Sequence, residues 1–205
     1  MTDKILYDYE DTLTKSQIKK LGVVYTPSDI VRHINQRCLD RWDRNHPPKV
    51  VDFSSGTGVF LVDMCERISS RYNISTEEVY EKYIFANDID QAATSIFSKH
   101  TGCVNISNED GLVFDISEFD ILIGNPPYVK IQNLSPSSRA AIKQYTWCIE
   151  GNSDIYIAMA QKFVNSGKIF GFICPNSWQK SKTGVNMVEE ILKTRRLAEL
   201  IDFRT

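Results

Sequence analysis

A short loop of Asn125, Pro126, Pro127 and Tyr128 follows a nearly continuous apolar stretch at residues 119–124. Two consecutive prolines fix the backbone and remove two N–H donors, so the carbonyl groups of the loop point outward as acceptors. The Asn125 side-chain oxygen and the Pro126 carbonyl could accept both hydrogens of an exocyclic amine, while the Tyr128 ring offers a face on which a base stacks. These residue types indicate chemistry at an amine on a planar ring.

The second chemically suggestive group is a glycine turn. Residues 54–58 read Ser, Ser, Gly, Thr, Gly after the β-branched stretch 49–53, and glycine is needed where a ligand approaches the backbone or φ is positive. Asp88 ends the next predicted strand, where its carboxylate could accept hydrogen bonds from ribose hydroxyls. A dinucleotide site is disfavoured, because position 61 is Leu61 and Asp88 lies farther along than about 20 residues. The glycine turn and the loop at residues 125–128 could each have a purely structural role. Their occurrence together favours a shared ligand site.

Hydrophobic periodicity predicts strands that alternate with helices. Thr26 is predicted to cap a helix that has Pro27 in its first turn and an apolar stripe extending to Trp42. Strands are predicted at residues 49–53, 83–87, 103–106, 119–124, 168–174 and 197–203. This order predicts an α/β fold with a doubly wound, mostly parallel sheet and helices on both faces. Ligands bind beyond the carboxyl ends of such strands, where both loops fall.

Composition favours one domain without metal or membrane chemistry. A chain of 205 residues, 42% of them hydrophobic, suffices for a single domain over 1–205, in which 1–21 form an amino-terminal extension. Its five cysteines form no Cys-x-x-Cys pair, which predicts free thiols, no metal site and a cytoplasmic location. No apolar run approaches the ~18 residues that a membrane span needs.

The formal charge of −2 bears on nucleic-acid binding. A free-standing duplex binder usually has a basic face that neutralises phosphates, and this chain has no overall basic excess. Affinity for a polynucleotide would therefore need surface supplied from outside this chain.

The order of the motifs resembles that of the gamma-class N6-adenine DNA methyltransferases, in which cofactor motifs precede an Asn-Pro-Pro-Tyr loop. The resemblance covers almost the whole chain from Gly22 onward. It implies that S-adenosylmethionine is bound by Tyr25, Thr26 and Pro27, by Asp52, Ser54, Gly56, Gly58 and Phe60, by Asp88 and Ile89, by Asp110, and by Asn125. It assigns the catalytic role to Asn125, Pro126, Pro127 and Tyr128.

The same resemblance implies a Rossmann-like S-adenosylmethionine-dependent fold and adenine methylation in a restriction-modification system. Such enzymes usually add an antiparallel hairpin strand after the strand predicted at 197–203, and also a target-recognition domain, and neither is found in the sequence. We therefore expect DNA to be bound through a recognition domain outside this chain. A restriction or specificity subunit is a further expected partner, and the sequence leaves open whether the chain is active alone.

Several alternatives share parts of this pattern. C5-cytosine methylation needs a nucleophilic cysteine in the catalytic loop, and residues 125–128 contain none. An N4-cytosine amine is chemically equivalent to the adenine amine, and only the resemblance favours adenine. Protein glutamine N5-methyltransferases use the same four loop residues, and an RNA amine is a further candidate. A cofactor-binding scaffold subunit is the non-enzymatic alternative.

Overall fold

The computed structural model of the protein describes residues 6, 8–9, 12–22, 24, 26–148, 153–180 and 182–203. The helices, in chain order, are α1 Lys15–Leu21, α2 Ser28–Asp40, α3 Val59–Tyr72, α4 Thr76–Lys82, α5 Gln91–Thr101, α6 Pro136–Ile142, α7 Ile155–Ser166 and α8 Lys182–Thr194. Short 3-10 helices, Ile131–Asn133 and Asn176–Lys180, come before α6 and α8. The strands are β1 Val50–Asp52, β2 Ile84–Asn87, β3 Ile106–Ser107, β4 Ile121–Gly124 and β5 Ile169–Phe172.

The strands form one parallel sheet in the order β3, β2, β1, β4, β5. Val51 of β1 pairs with Phe85 on one side and with Leu122 on the other. The direction in which strands are added reverses at β1, so a crevice forms beyond the carboxyl ends of β1 and β4. The predicted doubly wound parallel sheet is confirmed.

Alternation along the strands divides the core between the two faces of the sheet. Val50 and Ile121 belong to a buried cluster that includes side chains of α2, α3 and α5. Val51 and Leu122 belong to a second cluster, which includes side chains of α6 and α7. Successive strand residues point to opposite faces, so helices cover both faces, as predicted.

The third strand is shorter than its predicted span. Pairing starts at Ile106 rather than at Cys103. Val104 is exposed, and the Asn105 side chain donates to the Ile84 carbonyl at 3.1 Å. Asn105 still accepts a backbone hydrogen bond from Ala86 at 3.0 Å, but Cys103 and Val104 before it are not part of the strand.

The strand predicted at 197–203 is wrong, since the described residues after α8 form no strand. Arg195 leaves α8 with a left-handed φ of 52°. Glu199 then pairs with Arg37 of α2, with 2.7 Å between its Oε2 and the arginine Nε, and Leu200 stays exposed. The described residues 196–203 thus contact α2 through Glu199 and do not add a strand beside β5.

Helix α2 starts differently from its prediction. Pro27 occupies the N-cap position, and no side chain caps the helix. The Thr26 hydroxyl instead accepts a hydrogen bond from the Asn125 amide at 3.0 Å. The predicted Thr26 cap is therefore wrong, because its hydroxyl joins the amino-terminal motif to the loop after β4.

Candidate active site

A cavity of about 280 Å³ lies in the crevice beyond β1 and β4. This volume is close to the ~300 Å³ at which pockets for small organic molecules begin. Ten residues that were predicted from the sequence line the cavity: Thr26, Asp52, Ser54, Gly56, Phe60, Asp88, Ile89, Asp110, Asn125 and Pro127. The fold thus brings residues from every predicted motif to one site.

The other predicted residues have different positions. Gly58 has a φ of 84°, and a Cβ there would lie 2.1 Å from the Phe97 ring, so close packing requires glycine. Pro27 is the exposed N-cap of α2, and Pro126 is buried beside the cavity-lining Pro127. Tyr128 is half-buried outside the cavity wall. The predicted role of Tyr25 lies outside the described residues.

The glycine turn is held open by hydrogen bonds to its neighbours. Gly56 has a φ of 52°, and its N–H donates to Oδ2 of Asp88 at 2.7 Å. A Cβ at Gly56 would meet no atom within 4 Å. The Ser54 hydroxyl donates to the Asn125 backbone carbonyl at 3.1 Å, which ties the turn to the loop after β4. The backbone therefore borders open space on one side and both neighbouring loops on the other.

Two carboxyl groups with raised pKa values, on the buried Asp52 and the half-buried Asp88, lie in the cavity wall. Asp52 is 1% exposed, and burial raises its pKa well above the ordinary value, with the charge of Asp88 raising it further. Burial also raises the pKa of Asp88. A Cβ at Gly124 would lie 2.3 Å from Oδ1 of Asp52, so only glycine leaves room for this carboxylate. The site favours a ligand that brings positive charge or hydrogen-bond donors.

The Asn125 amide has a defined orientation at the edge of the cavity. Its Nδ2 donates to the Val24 carbonyl and to the Thr26 hydroxyl, each at 3.0 Å. A carbonyl oxygen only accepts, so the amide nitrogen must face Val24, and the amide oxygen must face the other way. That oxygen accepts a hydrogen bond from the Tyr128 hydroxyl at 2.7 Å.

Tyr128 packs away from the cavity in this structure. Its ring meets that of Tyr156 edge-on, with 6.0 Å between centroids, and burial raises the pKa of its hydroxyl above the ordinary range. Its hydroxyl occupies the Asn125 oxygen that was predicted to accept an amine hydrogen. An amide oxygen has two lone pairs, so an amine that binds there either shares the oxygen with the tyrosine hydroxyl or displaces it.

A comparison with protein families identifies the chain. Residues 17–205 match the model of the Eco57I restriction-modification methylase family. The chain belongs to this family. It is 26% identical over 180 residues to modification methylase CviBIII from Paramecium bursaria Chlorella virus NC1A, covering 85% of this chain and 43% of that one. It is 24% identical over 197 residues to type II methyltransferase M.HincII from Haemophilus influenzae, covering 93% of this chain and 35% of that one. The methylase chain thus spans less than half the length of these curated relatives.

Solved structures confirm the fold of this methylase family member. A Listeria monocytogenes protein assigned to the class I S-adenosylmethionine-dependent methyltransferases matches with a TM-score of 0.63 and 14% identity, covering 94% of this chain and 59% of that one. The restriction-modification enzyme MmeI, in complex with DNA, matches with a TM-score of 0.65 and 14% identity. This match covers 93% of this chain and 35% of that one. The fold is the Rossmann-like fold of S-adenosylmethionine-dependent methyltransferases.

Ser138 and Tyr9 are among the residues of the methylase site that the sequence did not predict. The Ser138 hydroxyl donates to Oδ2 of Asp110, and Tyr9 lines the cavity from the amino-terminal side. Ser138 is held by Ser135, which caps α6 and has Pro136 after it, a helix start that is visible in the sequence. Tyr9 carries no local signal, because its approach to the cavity depends on tertiary packing.

Two kinds of site have no candidates in the described part of the chain. No three His, Cys, Asp or Glu side chains there are grouped as metal ligands would be. None of the described helices combines the length and apolar character needed to cross a membrane.

Proposed function

We propose that the chain is the catalytic domain of a DNA methyltransferase that uses S-adenosylmethionine to methylate the N6 amine of adenine. The observation that carries the proposal is the fixed Asn125 amide at the edge of a cavity that contains Asp52 and Asp88. Family membership supports methyl transfer within a restriction-modification system. The choice of adenine rests on the resemblance of the loop and its flanking motifs.

The cavity suits S-adenosylmethionine, which is cationic at its sulfonium and ammonium groups and carries ribose hydroxyls. The buried Asp52 and the half-buried Asp88 supply carboxylates that would oppose the positive charge and accept from hydroxyls. The buried Ser55 hydroxyl, in the same turn, has no hydrogen-bond partner among the described residues, which leaves a polar atom for a ligand. The open space at Gly56 allows close approach to the backbone.

The proposed chemistry is direct transfer between two aligned groups. When bound, S-adenosylmethionine supplies an electrophilic methyl group on its positive sulfur. The Asn125 oxygen, and the Pro126 carbonyl as the proposed second acceptor, hold the amine hydrogens and direct the nitrogen lone pair. Tyr128, once released from Asn125, offers a ring on which the flipped base stacks.

A covalent route through cysteine is disfavoured by the state of the nearest candidate. Cys174 packs in the same cluster as Tyr128, and burial raises the pKa of its thiol to about 12. The thiolate is the nucleophilic form of cysteine, so this neutral thiol is a poor nucleophile at neutral pH. We propose that Cys174 only packs.

The proposed partners follow from the family and from charge. We propose that DNA is held mainly by a recognition region outside these 205 residues, because the chain has a formal charge of −2. The relative MmeI was solved in complex with DNA, and the solved relatives include a modification subunit of a type I restriction enzyme. A specificity or restriction subunit and a cytoplasmic location complete the proposal.

A tritiated-methyl transfer assay tests the function. The full-length protein is incubated with labelled S-adenosylmethionine and, side by side, with DNA, RNA and a release-factor protein. We expect label in DNA and N6-methyladenine in its nucleoside digest. Label only in protein or RNA, or only N4-methylcytosine in DNA, would overturn the proposed substrate.

Two variants connect that assay to the site. Asn125→Ala removes the fixed acceptor and is expected to abolish transfer nearly completely. Cys174→Ala removes a neighbouring buried group outside the proposed chemistry and is expected to retain it. Wild-type rates for purified Asn125→Ala, or loss of transfer by a folded Cys174→Ala, would contradict the assigned roles.

A further inference from the structure

Amino-terminal residues outside the family match contact the cofactor end of the cavity. The family match starts at residue 17, whereas Leu6 and Tyr9 precede it. Leu6 is 2% exposed and belongs to the core cluster on the α3 face of the sheet. The Thr57 hydroxyl in the glycine turn donates to the Leu6 carbonyl at 2.7 Å. The segment is therefore anchored to the turn that borders the cavity.

Tyr9 is anchored at its far end as well. Its hydroxyl donates to Oδ2 of Asp90 at 2.8 Å, while Oδ1 of the same carboxylate accepts from the Ala92 N–H at 3.0 Å and so caps α5. Burial and the Asp90 carboxylate raise the pKa of Tyr9 to about 12, so the hydroxyl remains a donor at neutral pH. A ring fixed at both ends loses little conformational freedom when a ligand contacts it.

The surroundings of Tyr9 match an adenosine group. The cavity wall that includes Tyr9 also includes Gly56, Asp88 and Ile89. Ile89 is 65% exposed, so the wall offers an apolar aliphatic surface as well as an aromatic ring. Asp88 adds a carboxylate that can accept from ribose hydroxyls. Flat purine rings bind to surfaces of this kind, since every base has a π-face that stacks on aromatic side chains.

We propose that Tyr9 is a cofactor-binding residue whose ring forms part of the wall for the adenosine portion of S-adenosylmethionine. This inference rests on the proposed function, because that function supplies the cofactor. The competing explanation is that Tyr9 only tethers the amino-terminal segment through Asp90 and makes no contribution to ligand binding.

Calorimetry on the full-length protein separates the two explanations. S-adenosylmethionine and S-adenosylhomocysteine are titrated into the wild type, Tyr9→Ala and Tyr9→Phe. Loss of a stacking ring in Tyr9→Ala should raise both dissociation constants by roughly 5- to 160-fold. The factor should be similar for the two ligands, because the adenosine portion is common to both. Tyr9→Phe keeps the ring and should raise them by no more than about fivefold.

Tyr72→Phe is the matched control. It removes a tyrosine hydroxyl that donates to the Arg44 carbonyl at 3.3 Å, away from the residues of the cavity wall, and should leave both dissociation constants unchanged. Thermal unfolding without ligand shows whether each variant is folded.

The outcomes distinguish the two proposals. Unchanged affinity for both ligands in Tyr9→Ala, with or without a lower melting temperature, means that Tyr9 is only a tether and overturns this inference alone. If Tyr9→Phe raises the dissociation constants as much as Tyr9→Ala does, the hydroxyl accounts for the whole effect, and the proposed role of the ring is also overturned. If the wild-type protein binds neither ligand, the proposed function fails together with the inference.

Discussion

Thr26 accepts a hydrogen bond from the Asn125 amide at 3.0 Å, although 99 positions separate the two residues. Thr26 is 4% exposed and Asn125 is half-buried, so this contact is partly shielded from water. Together with the Val24 carbonyl, it sets the direction of the Asn125 oxygen. The Thr-Pro motif therefore has a second role besides its proposed contact with the cofactor, namely the orientation of the amine acceptor.

We predict that Thr26→Val slows methyl transfer, because the Asn125 amide nitrogen loses the buried one of its two acceptors. An unsatisfied buried donor costs about 1–2 kcal/mol, which corresponds to roughly 5- to 30-fold in the rate constant. Single-turnover kinetics at saturating S-adenosylmethionine measure the step, and Thr26→Ser, which keeps the hydroxyl, is expected to restore most of the rate. Equal defects in the valine and serine variants would contradict an orienting role for the hydroxyl.

Tyr128→Phe is predicted to retain transfer to within a few-fold of the wild type. The substitution removes the hydroxyl that occupies the Asn125 oxygen and keeps the ring on which the base is proposed to stack. Tyr128→Ala removes the ring as well and should cost about 1–3 kcal/mol of base binding, or roughly 5- to 160-fold in kcat/KM. Comparison of kcat/KM for DNA in the two variants checks this; equal losses would assign the importance to the hydroxyl instead.

Local patterns in the sequence were sufficient for most of the sheet. A β-branched stretch at Val50–Asp52 and an apolar one at Ile121–Gly124 are buried on both faces, so their composition alone identified them as central strands. Residues 197–203 were predicted from their apolar content but form no strand, because a strand also needs backbone pairing with a neighbouring strand, and these residues have none. Composition indicates the tendency of a segment to form a strand, whereas strand pairing depends on the elements that lie beside it.

Site residues could be predicted from the sequence where their residue type has few other structural roles at that position. Gly56 and Asp88 line the cavity as their turn and strand-end positions predicted. The sequence contains no local sign that Thr26 would bond to Asn125 or that Tyr9 would reach the cavity, since both contacts join distant segments. Nor could it predict that Tyr128 packs against Tyr156, which depends on how α7 lies beside the loop.

We predict that Gly124→Ala prevents formation of a normal site. At a φ of 136°, alanine is strained, and its Cβ would lie 2.3 Å from Oδ1 of Asp52. Strain of this kind costs about 1–3 kcal/mol, or roughly 2–12 °C in the melting temperature of a chain of this size. Gly102→Ala is the control, because Gly102 also has a positive φ, of 75°, but a Cβ there meets no atom within 4 Å. Similar melting temperatures and cofactor affinities for the two variants would show that the contact with Asp52 is unimportant.

The buried carboxyl groups predict opposite pH trends for stability and for cofactor binding. Burial raises the pKa of Asp52 well above 3.8. At pH values between 3.8 and the raised pKa, the folded protein therefore holds a proton that the unfolded chain has lost. The ligand-free protein should therefore lose stability as pH rises through this window. A cationic ligand favours the ionised carboxylate, so binding of S-adenosylmethionine should tighten over the same window and release protons.

Calorimetry in buffers of different ionisation enthalpy measures that proton release, and chemical denaturation across the same pH values measures stability. In Asp52→Asn the side chain at position 52 cannot ionise. Both the proton release and the pH-dependent loss of stability should therefore become smaller. The remainder is the contribution of Asp88, because burial raises the pKa of that residue too. S-adenosylhomocysteine lacks the sulfonium charge and should release fewer protons than S-adenosylmethionine. Identical proton release by the wild type and Asp52→Asn would show that Asp52 is already ionised in the ligand-free protein and that its burial does not control cofactor affinity.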